Sequence, residues 1–259
     1  QPGEGRKTGL MFGILLCVVG FFITGRVARD SLFLSRYSVD YLPYLYIWVA
    51  LGVSVQSYLY SRIADRFRRD RTLIATLAAV LVVTLAARVS LYWVGDWFYP
   101  VLYVTIELAG TLLIIQTWTL ANEIFDTREA KRLFGIVGAG GVVSAVIVGL
   151  SVRGLVKTIG TENLLYLCAG VLVVALVLTA KVLSSCREEI LSSMVETGRQ
   201  ARARISLSSD WARFFANRQL VFVAGLIVIL GFVITFVDYQ FKITARNAFL
   251  NREEQLAGF

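Results

Sequence analysis

Seven long apolar stretches, at roughly 8 to 34, 43 to 60, 72 to 94, 98 to 122, 134 to 153, 163 to 183 and 219 to 242, dominate this chain. A bilayer core requires about 20 apolar residues per spanning helix, because lipid offers no partner for an unpaired backbone amide. Runs of that length, with no alternating strand pattern between them, predict an all-α polytopic membrane protein. The first run follows Arg6 and Lys7 as a secretory signal would, but it is too long and has no small-residue cleavage site, so it is read as a retained helix.

The net charge of +8 does not point to nucleic acid, because the basic residues gather in the connections between apolar runs. Arg62, Arg66, Arg68, Arg69 and Arg71 follow the second run, Lys131 and Arg132 the fourth, and a basic segment from Arg187 to Arg218 the sixth. Connections after the third and fifth runs are poor in lysine and arginine. The positive-inside rule then places the N-terminus in the cytoplasm of a protein integral to the inner or plasma membrane.

The sequence contains no histidine, which excludes Ser-His-Asp and Cys-His catalysis and the common zinc sites. Cys17, Cys168 and Cys186 are too widely spaced to suggest a metal set and read as small packing residues. Nothing calls for a cofactor, and no enzyme activity is expected. The glycine-rich stretch "GIVGAGG" is not a nucleotide loop: Val143 stands where a third glycine is needed, and no strand precedes it. Gly141, Ala145 and Gly149, every fourth residue, instead predict a seam for close helix packing.

The polar segment between the sixth and seventh runs divides the chain into a six-helix half (1–183), a cytoplasmic linker (184–218) and a seventh helix opening a second half (219–259). Such an arrangement matches the beginning of a twelve-helix transporter built of two parallel repeats. The chain is therefore expected to be part of a longer polypeptide.

Charges inside the apolar runs carry the functional signal, since each costs about 2.5–3.5 kcal/mol at the centre of a spanning helix and demands a wet cavity or a partner. Arg26, Arg29 and Asp30 stand at i, i+3 and i+4 and share one face of helix 1. Asp30 is expected to neutralise Arg26 in part, leaving positive charge in excess. Should helix 1 end at Thr24, the same residues would lie in an ordinary outer loop. Asp238 and Lys242, at i and i+4, occupy a similar depth in helix 7. Arg88 in helix 3 and Glu107 in helix 4 are either a structural ion pair or, with Glu107 facing the cavity, part of the site.

Several stretches carry a family resemblance. "RVARD" is similar to the helix 1 basic motif of the ATP/ADP translocases, nucleotide transporters of plastids and intracellular bacteria that are related to the major facilitator superfamily. "DYLPYLYIWV" resembles that family's start of helix 2, "IELAG" its Glu-Leu-Trp-Gly motif, "ANEIFDTREAKRLFGIVGAGG" its connection from helix 4 to helix 5, and "VDYQFK" its Val-Glu-x-x-Trp-Lys motif. The stretches occur in the family's order over nearly the whole chain. "SRIADRFRRDR" further resembles the superfamily's loop between helices 2 and 3, with Ser61 and Arg68 in place of its glycines.

The resemblance implies a major-facilitator-like bundle, seven of about twelve helices, that moves nucleotides by alternating access. It places the family's helix 1 lysine on Arg29, its helix 4 glutamate on Glu107 and its helix 7 glutamate on Asp238, while a lysine near helix 2 becomes Tyr46 and a tryptophan becomes Ala109. The expected substrate is a nucleotide or another phosphorylated anion, held by Arg26, Arg29, Glu107, Asp238 and Lys242 with support from Asp30, Arg88 and Asn122. A second expectation, from another functional class, is a transporter-like domain with a sensing or scaffolding role. It would be joined to a soluble module such as a helical-repeat or cyclic-nucleotide-binding domain.

Overall fold

The computed structural model describes residues 4–64, 69–185 and 216–248. Among them the regular elements are all helical: α1 (Glu4–Arg36), a 3-10 turn (Val39–Tyr41), α2 (Leu42–Ala64), α3 (Arg69–Ser90), α4 (Phe98–Ile124), α5 (Thr127–Ile159), α6 (Leu164–Ser185) and α7 (Arg218–Ala248). Among the described residues, seven helices are long and apolar enough to cross a membrane. The chain is an all-α polytopic membrane protein. Residues 65–68 of the basic loop, Cys186 and most of the linker lie outside the described residues.

Helices extend beyond their apolar windows where the flanking sequence favours it. α5 begins seven residues before its predicted start because Asp126 and Glu129 form a capping box, each side chain bonding the other's backbone amide. It stops at Gly160, whose φ of 80° suits a residue without a Cβ. α3, by contrast, ends at Ser90, before the predicted 94, and "LYWVGDW" forms turns with Trp93 and Trp97 exposed. Aromatic residues of this kind favour the membrane interface.

α1 is the centre of the first six helices, packing against α4, α5 and α6. One core cluster surrounds its first half, from Met11 to Phe21; a second surrounds Ala28, Leu32, Phe33 and Leu34. Cys17 and Cys168 belong to the first cluster as unbridged packing residues. At its start, Glu4 pairs with Arg132 of α5.

The small-residue seam of α5 is displaced from its expected position. Ala145 and Gly149 are exposed, and a Cβ on Gly149 would meet nothing within 4 Å. The close approach occurs at Gly140, where a Cβ would stand 2.6 Å from the backbone oxygen of Phe12. Helix rotation puts Gly140 and Ser144, rather than Gly141 and Ala145, squarely against α1. Gly140→Ala should cost about 1–3 kcal/mol through overpacking against backbone, with Gly149→Ala neutral. Thermal unfolding of the two variants in detergent measures the difference.

Among the described residues, the polar contacts of α7 with the other helices gather near its C-terminal end. Its apolar side chains from Leu220 to Val237 are exposed, whereas Lys242 and Ala245 are buried. Arg246 donates to Ser38 Oγ at 3.2 Å, tying this end of α7 to the turn after α1.

Candidate functional site

α1 runs unbroken from Glu4 through Arg36, so Arg26, Arg29 and Asp30 are helical and not part of a loop. Their spacing of three and four residues brings them onto adjoining faces, with α4 on one side and α7 on the other. Arg29 is 2% exposed. Its guanidinium lies 2.6 Å from Glu107 Oε2, donates to the Tyr103 carbonyl at 3.0 Å and stacks 4.0 Å above the Tyr103 ring. Arg26, one turn earlier and half-exposed, donates from Nε to the same Glu107 oxygen at 3.2 Å. Glu107 therefore joins two cations of α1 to α4.

Asp30 faces the other way. Its Oδ1 is 3.3 Å from Arg29 Nε, and its Oδ2 is 3.1 Å from Lys242 Nζ on α7. Lys242 also lies 2.8 Å from Asp238, one turn before it, and donates to the Tyr103 hydroxyl at 3.0 Å. The Tyr46 hydroxyl of α2 donates to Asp238 at 2.8 Å. One network thus runs from Arg26 through Glu107, Arg29, Asp30 and Lys242 to Asp238, linking α1, α4, α7 and, through Tyr46, α2.

Three cations face three carboxylates, which corrects the expectation of excess positive charge. Asp30 does not neutralise Arg26; Glu107 takes that role, and Asp30 serves Arg29 and Lys242. Buried charges require such matching, since removing one partner typically costs about 3–5 kcal/mol. The charge-assisted hydrogen bonds made by guanidinium and ammonium groups are the chemistry that recognises carboxylates and phosphates.

Arg88 does not pair with Glu107. Its Nη2 donates to Asn163 Oδ1 and to the Tyr92 hydroxyl, each at 2.7 Å, and its guanidinium packs on the Tyr92 and Tyr166 rings. It fastens the end of α3 to the α5–α6 turn, outside the network. Asn122 is exposed near the C-terminal end of α4, about four turns from Glu107. Tyr103 was not singled out in the sequence, although it stands one turn before Glu107, on the same face. A cleft of about 920 Å³ between α2 and α4, lined by Trp48, Gly52, Gln56 and Leu108, is nearly all apolar and contains none of the six charges.

The model of the TLC ATP/ADP transporter family matches residues 76–257, which include Tyr103, Glu107, Asp238 and Lys242. The chain belongs to this family. Among curated relatives, the TLC chain is 22% identical over 166 residues to ADP,ATP carrier protein 3 of Rickettsia bellii (strain RML369-C), covering 52% of this chain and 33% of that protein. It is 24% identical over 161 residues to ADP,ATP carrier protein 1 of the same organism, covering 58% and 32%. With ADP,ATP carrier protein 2 of Chlamydia pneumoniae it shares 24% identity over 169 residues, covering 52% and 31%. The matched region spans about a third of the length of these relatives. No solved structure matches the TLC chain significantly.

Proposed function

We propose that this TLC-family chain supplies six helices and the seventh of a secondary transporter for nucleotides of the ATP/ADP type, or a closely related phosphorylated anion, working by alternating access. The observation that carries the reading is the charge network, which joins α1 and α4 of the six-helix half to α7. A site shared by two transporter repeats can be taken apart from either side of the membrane. In this reading Arg26, Arg29 and Lys242 hold phosphate oxygens, while Glu107 and Asp238 keep those cations in place. The basic flanks of the helices support a cytoplasmic N-terminus.

Proteoliposomes loaded with unlabelled ADP provide the test. Saturable uptake of labelled ATP or ADP, stimulated by internal nucleotide, is expected. Folded protein that moves neither these nor other phosphorylated anions would overturn the proposal.

A further inference from the structure

Of the three carboxylates in the network, Asp30 alone spans two cations on different helices, one oxygen directed at each. Asp238 answers to Lys242 of its own helix and is held again by Tyr46. Glu107 is held by hydrogen bonds from Arg26 and a close contact with Arg29, both on α1. Asp30 divides its charge between Arg29 of α1 and Lys242 of α7. An O–C–O group lying between a guanidinium and an ammonium occupies the position that two oxygens of a phosphoryl group would take.

The network also leaves an incoming anion no unused ammonium. Lys242 has three N–H donors, and Asp30, Asp238 and the Tyr103 hydroxyl lie around it at 3.1, 2.8 and 3.0 Å. An anion can reach Lys242 only by replacing one of them. Asp30 is the least firmly held: its Oδ1 and the facing Arg29 Nε stand at ion-pair distance, yet both are buried without a hydrogen bond. A buried donor left unsatisfied on a side chain only 1% exposed is the mark of a place an acceptor can fill.

We infer that the Asp30 carboxylate is a built-in competitor for the ligand, standing between Arg29 and Lys242 where a phosphoryl group binds and leaving when one arrives. The inference rests on the proposed reading of this site as one for phosphorylated anions. Asp30 then lowers affinity as well as supporting the empty site, because only the fraction of molecules with Asp30 displaced is competent to bind. Affinity given up in this way hastens release, which a transporter needs as much as capture.

The test is direct binding of pyrophosphate and ADP, by calorimetry, to purified wild-type protein and to Asp30→Asn, which keeps the side chain's shape. Affinity should rise by about tenfold in Asp30→Asn as the competitor is removed, while the maximal uptake rate falls. Asp96→Asn, which alters net charge equally but stands outside the network in an exposed pair with Arg36, should change affinity less than about threefold on the same basis. If Asp30→Asn yields too little folded protein, Asp30→Ser provides the same comparison. Unchanged or weaker binding by the Asp30 variant, or an equal gain in Asp96→Asn, would overturn the inference while leaving the site assignment intact. Wild-type protein that binds no phosphorylated anion would remove both.

Discussion

Arg29→Ala is expected to abolish nucleotide uptake and to lower stability by about 3–5 kcal/mol, because it strands Glu107 and Asp30 in a buried setting with less compensating charge. The loss should exceed that for Arg26→Ala, since Arg26 is half-exposed and can give its place to water. Arg29→Lys should recover much of the stability but little of the uptake: an ammonium restores the charge, whereas the contacts to Glu107, to the Tyr103 carbonyl and to the Tyr103 ring require a planar fork. Uptake into proteoliposomes and thermal unfolding of the same preparations separate these effects. Near-wild-type uptake by Arg29→Ala would exclude the proposed role.

Lys242→Ala should be equally severe for a different reason. It leaves Asp30 and Asp238 facing each other without their shared cation and removes the main link between α7 and α1. Uptake is expected at background. A thiol pair made from Ser38→Cys and Arg246→Cys, whose native side chains are in hydrogen-bond contact, and bridged by a bifunctional maleimide that spans the length of the lost arginine, should cross-link less efficiently when Lys242 is replaced. Adding Asp238→Asn to Lys242→Ala should restore cross-linking without restoring uptake, because the repulsion is relieved but the anion ligand is still missing. Full cross-linking in Lys242→Ala alone would show that the lysine does not anchor α7.

The helices and the charged members of the network were readable in the sequence for one physical reason: lipid penalises both unpaired amides and lone charges. Runs of apolar residues and the exceptions within them therefore stand out. Pairing was not readable, because it depends on how each helix is rotated and tilted. Glu107 and Arg88 could have faced each other, but α3 turns Arg88 towards α6 and the ring of Tyr166. The same uncertainty of one position along a helix put the close contact at Gly140 instead of Gly141. Tyr103 gave no warning because it is neutral and one of 11 tyrosines in an aromatic-rich chain. Its importance comes from lying between Arg29 and Lys242, which are 213 positions apart in sequence and meet only in the folded bundle.

The balance of three cations and three carboxylates bears on how such a protein would behave in an energised membrane. Moving one uncompensated elementary charge through the membrane field costs or yields about 2.3 kcal/mol per 100 mV. The charges of this network sum to zero, so in the proposed transporter they add no such work when access switches from one side to the other. In the proposed transporter voltage would then act on the cargo rather than on this network, so exchanging two anions of unequal charge would respond to membrane potential more than exchanging two of equal charge.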